Sequence, residues 1–260
     1  MGMLLVIDIG NSSITTGIFA GDRLLGRFEI PTRFPHDVGY YRGKMEAFLA
    51  KKSGEKPLDG VIISSVVPEL TDTLARSVRG VSIGEPVTVD SLNSGLIFDL
   101  ERPEEIGSDR VANAVAALDA MGSPVAVVDF GTATTISVVR NGCFLGGAIL
   151  PGVRLMGEAL HRGTAKLPAV DLVGGTEGLV SPVAALGKST TMCIISGMIY
   201  GTAGAVERIM RGIEREEGCV FKVAATGGYS SMAVRYMERE YFLDPDLTLK
   251  GLRLIYERNA

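Results

Sequence analysis

Short apolar runs that end in small or acidic residues recur along the chain and predict buried strands. The first run begins at Met3 and is interrupted at Asp8, and Gly10 then opens a run of amide and hydroxyl residues. A run this short is typical of a strand buried in a sheet. The same layout returns near the middle of the chain, at Asp129 and Gly131. Two copies of one acidic hairpin predict a duplicated fold.

Each copy continues as a predicted three-stranded meander. The predicted strands are 3–9, 14–19 and 24–30 in the first copy and 125–130, 135–139 and 143–150 in the second. The Asn-Gly pair at 141–142, which stands between apolar runs, is the strongest short-range hairpin signal in the sequence. Such strands mixed with helices predict an α/β architecture, with helices packed on mixed sheets.

The other predicted elements of the first half are helices at 40–51 and after Pro68 and a buried strand at 61–65. A further helix is predicted at 109–121, where apolar residues fall on one helical face. It stops at the Gly-Ser-Pro sequence of 122–124, a typical helix end followed by a turn. We therefore expect an N-terminal domain over 1–121 and a C-terminal domain over 122–260.

The composition is that of an ordinary globular protein, with 46% hydrophobic and 22% charged residues. The formal charge of −4 and the lack of a basic cluster argue against a nucleic-acid partner. The 3 cysteines form no CxxC pair, which argues against a disulfide scaffold or a cysteine zinc site and favours a cytoplasmic location. The uncharged stretch 189–206 is diluted by Thr, Ser and Gly, so no membrane partner is expected.

The acidic residues that close the two strands have two interpretations. Asp8 and Asp129 could each cap their own turn, as Asp often does. Because both copies continue with glycine and a hydroxyl residue, they favour cation and phosphate binding. Asp8 is expected to hold Mg²⁺, which prefers a carboxylate together with phosphate oxygens. The residues expected to donate to the phosphates are Gly10, Asn11, Ser12 and Thr132. Phosphoryl transfer from a nucleotide is the favoured function.

A third acidic motif opens the helix predicted at 109–121. Ser108 fits an N-cap and Asp109 fits the first turn of the helix, so capping alone could explain both residues. The alternative is catalysis, because a carboxylate at a helix start stays ionised and can accept a proton from an alcohol. A base placed in this way contributes about 10²–10⁴-fold to the rate.

Two glycine motifs lie in the second half. The Thr-Gly-Gly turn at 226–228 follows the predicted strand 219–225 and would let backbone lie flat beside a base or sugar. The Gly-Lys-Ser-Thr sequence at 187–190 imitates the end of a P-loop, but Pro182 stands where the first glycine is required. We therefore exclude a Walker-type NTPase, and we expect Thr190 to begin a helix.

Several motifs in order along the chain resemble one known family. They are Asp8-Ile9-Gly10-Asn11-Ser12, Gly107-Ser108-Asp109-Arg110, Asp129-Phe130-Gly131-Thr132-Ala133-Thr134, Gly146-Gly147-Ala148-Ile149-Leu150-Pro151-Gly152 and Thr226-Gly227-Gly228. From Met3 to the C-terminal region, the chain resembles the bacterial type III pantothenate kinases of the actin-like ATPase superfamily. This resemblance implies a duplicated actin-like ATPase (ribonuclease H-like) fold, whose two domains each have a mixed central sheet flanked by helices.

The resemblance also implies ATP-dependent phosphorylation of pantothenate to 4'-phosphopantothenate, the first step of coenzyme A biosynthesis. It implies a homodimer that uses Mg²⁺ and a monovalent cation, K⁺ or NH₄⁺. By motif, Asp109 would be the catalytic proton acceptor, Asp8 the magnesium ligand and Asp129 the potassium ligand. The residues implied in ATP and phosphate binding are Asp8, Ile9, Gly10, Asn11, Ser12, Ser13, Ile14, Thr15, Thr132, Gly227 and Gly228. Those implied in pantothenate binding are Leu100, Gly107, Ser108, Asp109, Arg110 and Thr190.

Two positions depart from the family pattern. The first phosphate turn usually reads Asn-Thr where this chain has Asn11-Ser12, which keeps the hydroxyl. Leu100 stands where the family usually has a tyrosine, seven residues before the glycine of the GxDR motif. Without a phenol hydrogen bond there, a kinase for another small alcohol stays open as an alternative. A non-catalytic nucleotide-binding regulator is the alternative from a different class. Intact Asp8, Asp109 and Asp129 argue against it, because a sensor needs no proton acceptor beside its phosphate site.

Overall fold

The chain forms two compact units in the structure, which is a computed structural model. Residues 2–33, 36–52, 58–82, 84–170, 172 and 182–260 are described. The first unit consists of Met1–Ala116 together with Leu247–Ala260, and the second of Ala117–Asp246. The last segment of the chain therefore returns to the first unit.

The strands are β1 (Met3–Ile9), β2 (Ser13–Ala20), β3 (Arg23–Pro31), β4 (Gly60–Ser65), β5 (Val87–Thr88), β6 (Ile97–Phe98), β7 (Val125–Phe130), β8 (Ala133–Arg140), β9 (Cys143–Pro151), β10 (Lys222–Thr226) and β11 (Phe242–Leu243). The helices are α1 (Val38–Lys52), α2 (Pro68–Ser77), α3 (Ser108–Met121), α4 (Val153–Gly163), α5 (Thr190–Glu217), α6 (Ser230–Ala233) and α7 (Leu247–Asn259), with short 3₁₀ turns at Pro103–Glu105 and Val234–Tyr236.

The two units contain mixed sheets of the same strand order. In the first unit the order is β3-β2-β1-β4-β5, and the strands that belong to the second unit follow the order β9-β8-β7-β10-β11. In each, three consecutive strands form an antiparallel meander, and the first strand of the meander also pairs in parallel with a later strand. The predicted meanders, and the α/β class with two mixed sheets, are therefore confirmed.

The sheet of the first unit is covered on both faces. Alternate residues of β1, such as Leu5 and Ile7, lie in one core with α1 and α2, as the strand period of two requires. On the opposite face Val6 lies beside Gly17, where an added Cβ would contact both Val6 and Leu249 of α7. Each fully buried aliphatic side chain contributes roughly 1.5–3 kcal/mol. The C-terminal helix is thus part of this unit's core.

The sheet of the second unit packs against the long helix α5. Val128 of β7 and Val223 of β10 share a core with Val206 and Met210 of this helix. Helix α5 begins at Thr190, as predicted, because the Ser189 hydroxyl accepts a hydrogen bond from the Met192 amide at 3.2 Å. Within the described part of the chain, no helix combines the length and the apolar character needed to cross a membrane.

Candidate active site

The first unit places Asp8 beside a serine of the neighbouring strand. Asp8 lies near the carboxyl end of β1 and is paired in the parallel register with Ser64 of β4. The Ser64 hydroxyl donates to Asp8 Oδ1 at 2.8 Å. A hydrogen bond to one carboxylate oxygen fixes the orientation of the group, which is the arrangement found around metal-binding carboxylates.

Ser64 also joins this strand to the start of α3. The hydroxyl oxygens of Ser64 and Ser108 are 2.9 Å apart, and both side chains are buried. The Ser65 amide donates to Ser108 Oγ at 2.9 Å. Helix α3 begins at Ser108 itself, and the Gly107 carbonyl accepts from the Val111 amide at 3.2 Å. The predicted N-cap at Ser108 is therefore wrong by one residue: Gly107 is the N-cap, and the Ser108 hydroxyl bonds to β4.

Asp109 follows directly in the first turn of α3. Burial raises the pKa of its carboxyl above the usual value, although the Arg110 amide, which donates to Oδ1 at 2.8 Å, acts in the opposite direction. Burial lowers the pKa of the Arg110 guanidinium, while the charge of Asp109 opposes that change. A Cβ at Gly107 would collide with the Asp109 carboxylate, so glycine leaves room for this group. A carboxylate with a raised pKa is a better proton acceptor than an ordinary one.

The turn after β1 is held by backbone and threonine contacts. The Gly10 amide donates to the Ser13 carbonyl at 3.0 Å. Thr32 Oγ1 donates to the Gly10 carbonyl at 2.7 Å, and the Thr32 amide donates to the Ser12 carbonyl at 3.0 Å. Asn11 and Ser12 are exposed at the tip of this turn. Exposed donors on a fixed turn suit an anion such as phosphate.

The other residues implied at this turn differ in what they can offer. Ile9 and Ile14 are fully buried in the hydrophobic core, so only their backbone groups are available to a ligand. Ser13 and Thr15 lie in β2 and are half-buried.

The second unit places Asp129 against the Thr-Gly-Gly turn. Asp129 is paired with Thr226 of β10 in parallel register. Gly227 has a positive φ of 89°, and a Cβ there would collide with the Asp129 carboxylate and the Phe130 backbone. The Tyr229 amide also donates to the Phe130 carbonyl at 3.1 Å. The structure therefore brings together two motifs that are far apart in the sequence.

Four predicted site residues remain, and they lie at separate places in the chain: Thr132, Gly228, Thr190 and Leu100. Thr132 is half-buried in the turn after β7, and its carbonyl accepts from the Gly152 amide at 3.2 Å. Gly228 follows Gly227, and a Cβ at Gly228 would meet no described atom within 4 Å. Thr190 is exposed at the start of α5, and Leu100 is half-buried two residues after β6.

The donor chemistry fits the metal ions that the resemblance implies. Among the described residues, no group of three or more His, Cys, Asp or Glu side chains could form a metal cage. Mg²⁺ seldom uses such a cage, because it is usually held by one or two carboxylates together with substrate phosphates and water. Asp8, whose carboxylate is oriented by Ser64, fits that role. Asp129 offers a carboxylate of the hard oxygen type that K⁺ also accepts.

Sequence reasoning missed Ser64. The buried strand at 61–65 is predicted correctly, but nothing within that run indicates that its serine meets Asp8. A usable signal exists: Asp8, Ser64, Asp129 and Thr226 are all polar residues near the carboxyl ends of buried apolar strands. Strands that pair in parallel present these ends at one edge of the sheet.

Comparison with known proteins agrees with the motif pattern. The family model described as type III pantothenate kinase matches residues 4–212. The chain is 40% identical to the type III pantothenate kinase of Brevibacillus brevis, over 99% of both chains. It is 38% identical to that of Moorella thermoacetica, over 99% of this chain and 100% of the relative.

Solved structures of more distant proteins show the same fold. A conserved Campylobacter jejuni protein named for the Baf family of transcriptional activators aligns with a TM-score of 0.60 at 20% identity, over 98% of each chain. Component A of the (R)-2-hydroxyglutaryl-CoA dehydratase of Acidaminococcus fermentans aligns with a TM-score of 0.58 at 14% identity, over 100% of this chain and 98% of that one. At such identities the likeness concerns the fold alone, and it confirms the predicted actin-like ATPase fold. On the evidence of the family model and the full-length relatives, the chain belongs to the type III pantothenate kinase family.

Proposed function

We propose that the protein transfers the γ-phosphoryl group of ATP to the hydroxyl of pantothenate, giving 4'-phosphopantothenate and ADP in the first step of coenzyme A biosynthesis. Family membership supports the reaction class and both substrates. The observation that carries the proposal is the hydrogen-bonded group Asp8–Ser64–Ser108, which ends one residue from Asp109. This group joins a carboxylate suited to a metal–phosphate with a carboxylate suited to deprotonating an alcohol.

In the proposed reaction, Asp109 accepts the proton of the pantothenate hydroxyl as its oxygen attacks the γ-phosphorus and the bond to ADP breaks. The raised pKa of Asp109 favours proton uptake. Asp8 would hold Mg²⁺, which supplies charge neutralisation on the phosphate oxygens. The Gly10–Thr15 segment and Thr132 would donate to those oxygens. Since the transition state of phosphoryl transfer is loose, positioning and charge neutralisation account for most of the acceleration.

The finer assignments are part of the same proposal. Asp129 would bind K⁺ or NH₄⁺, and Gly227 with Gly228 would lie beside the nucleoside. The proposed pantothenate-binding residues are Leu100, Gly107, Ser108, Asp109, Arg110 and Thr190. We place the enzyme in the cytoplasm with no nucleic-acid or membrane partner, and its three cysteines are free, as is usual there.

We extend the proposal to a homodimer. A Cβ added at Gly197 or Gly204 of α5 would meet no described atom within 4 Å, and both residues are exposed. Small exposed residues on a long helix allow a second copy to approach closely. Sedimentation equilibrium of the wild type and a Gly204→Lys variant tests this assignment, because the variant should dissociate.

The decisive experiment is a coupled assay of ADP release with pantothenate and a panel of small alcohols, with the product identified by mass. We expect turnover with pantothenate, and loss of turnover in Asp109→Asn. The panel contains other alcohols because the Leu100 side chain cannot form a hydrogen bond at the position where the family usually has a tyrosine. Preference for another alcohol would replace the substrate assignment. Nucleotide binding without turnover on any acceptor would overturn the kinase function and support a regulator.

A further inference from the structure

We propose that Ser64 is a positioning residue for phosphoryl transfer, one that holds the metal-binding carboxylate of Asp8 and the start of the helix that carries Asp109 in a fixed relation. The inference rests on the proposed function, since it requires Asp8 and Asp109 to act on the same reaction. Ser64 does not itself touch the reacting atoms; it acts through its two neighbours.

The geometry around Ser64 joins three elements of the first unit. Its hydroxyl is 2.8 Å from Asp8 Oδ1 of β1 and 2.9 Å from Ser108 Oγ of α3, and Ser64 itself belongs to β4. The Ser64 residue is completely buried. A buried hydroxyl that bonds on two sides is held far more rigidly than an exposed one, because water cannot replace either partner.

The number of hydroxyl protons limits the hydrogen bonds that this group can make. Ser64 has a single hydroxyl proton, which it donates to the Asp8 carboxylate. The Ser108 hydroxyl then has two acceptors within reach of its one proton, Ser64 Oγ at 2.9 Å and the Ser65 carbonyl at 3.1 Å. Ser108 Oγ in turn accepts from the Ser65 amide at 2.9 Å. Ser108 is therefore held by both backbone groups of Ser65, and Ser64 connects Ser108 to Asp8.

This chain of bonds connects two functions that lie on separate elements. Any shift of Asp8 when it binds metal and phosphate is carried by Ser64 to Ser108, which adjoins Asp109. A displacement of about 1 Å at a reacting group can cost about 100-fold in rate. Ser64 is therefore expected to influence both the metal-dependent binding of nucleotide and the rate of the chemical step.

The test compares Ser64→Ala with Ser77→Ala. Ser77 is also completely buried in the first unit, but its hydroxyl donates within its own helix, to the Leu74 carbonyl at 2.7 Å. Both variants lose a buried hydroxyl, so a purely structural effect should be similar in the two. A third variant, Ser64→Thr, restores the hydroxyl on a side chain that suits a strand.

Two measurements distinguish positioning from stability. In Ser64→Ala we expect kcat to fall about 10–100-fold, with a smaller change in the KM for pantothenate. By calorimetry without turnover, the factor by which Mg²⁺ strengthens ADP binding should fall about tenfold. Ser77→Ala should keep the wild-type kcat and the wild-type effect of Mg²⁺, and Ser64→Thr should recover much of both.

The inference is overturned if Ser64→Ala matches Ser77→Ala in both measurements. It is equally overturned if Ser64→Ala loses only thermal stability. If the wild type phosphorylates no pantothenate, the proposed function fails instead. The Mg²⁺ dependence of ADP binding then still decides whether Ser64 orients Asp8.

Discussion

The two three-stranded meanders of this chain are built alike, but the acidic residues that close their first strands have different surroundings. Strands β2 and β8 have the same length and the same order of buried and half-buried residues, and each carries a register irregularity against its outer neighbour, at Ile18/Phe19 and at Val138/Val139. Both acidic residues face a hydroxyl residue of the adjacent parallel strand, Ser64 for Asp8 and Thr226 for Asp129.

The difference begins with the residues that follow those hydroxyls. After Ser64 the chain continues through Ser65 to Pro68 and helix α2, and Ser64 bonds to both Asp8 and Ser108. After Thr226 a glycine of positive φ turns the backbone directly onto Asp129. One scaffold thus presents an acid oriented by side-chain hydroxyls in one unit and an acid packed against backbone in the other. The duplication supplies the framework, and the flanking residues determine the role of each copy.

The largest expected effect comes from removing Asp109 of the first unit, the proposed base. Asp109→Asn should lower kcat about 10²–10⁴-fold while Mg·ATP binding is retained. Steady-state kinetics together with calorimetry measures both quantities. Near-normal turnover would reject Asp109 as the proton acceptor.

The same variant has a stability consequence of defined sign. Because the pKa of Asp109 is raised on folding, its contribution to stability is lost as the pH rises from below the ordinary carboxyl pKa to above the raised one. Asparagine does not ionise, so Asp109→Asn should melt at the wild-type temperature or higher at neutral pH. The advantage should disappear in acid. A lower melting temperature at neutral pH would contradict the raised pKa.

Replacing Asp8 and Asp129 separately by asparagine should change the dependence on two different ions. Asp8→Asn should weaken Mg²⁺-dependent nucleotide binding about 100-fold. Asp129→Asn should instead abolish the preference for K⁺ over Na⁺ that we expect in wild-type activity. Rates in matched chloride salts and calorimetry with and without Mg²⁺ provide the measurements. If both variants lose the same ion dependence, the proposed division of roles is wrong.

A smaller effect is expected from replacing Gly227, whose turn distinguishes the second copy from the first. Gly227→Ala should cost about 1–3 kcal/mol of stability, because alanine is strained at positive φ and its Cβ would collide with Asp129. Gly228→Ala is the matched control and should change the free energy of unfolding by less than about 0.5 kcal/mol. Urea denaturation checks this prediction, and equal losses in the two variants would contradict it.

The smallest effect should come from removing the Thr32 hydroxyl, which holds the turn after β1. Thr32→Val removes the bond from Thr32 Oγ1 to the Gly10 carbonyl and should cost about 0.5–1.5 kcal/mol while raising the KM for ATP. The control is Thr71→Val, which should leave that KM unchanged. The wild-type Thr71 hydroxyl lies 2.7 Å from Ser65 Oγ and 3.2 Å from the Val67 carbonyl, at the start of α2. In the second copy the Thr132 carbonyl accepts from the Gly152 amide at 3.2 Å, so that turn is held by a backbone bond.

The meanders could be predicted from sequence because their signals are local. The predicted ends of β1 and β7 coincide with the observed ones, since a buried run and an acidic stop lie within a few residues of each other. The two-residue strands β5, β6 and β11 carry too few residues for any periodicity. The N-cap of α3 was misplaced because the Ser108 hydroxyl is engaged by β4, which is a tertiary contact. Ser64 was missed for the same reason, as its role depends on the pairing register between distant strands.

The position of α7 has a consequence for biosynthesis. This helix covers the Val6 face of the first sheet, yet in the chain it follows the whole of the second unit. Domains generally fold as units while the chain emerges. The N-terminal half of this protein must therefore wait, with one side of its sheet uncovered, until the entire second unit has been translated. Premature termination just before Leu247 would release a chain whose first half lacks its final layer, a natural target for chaperones or proteases.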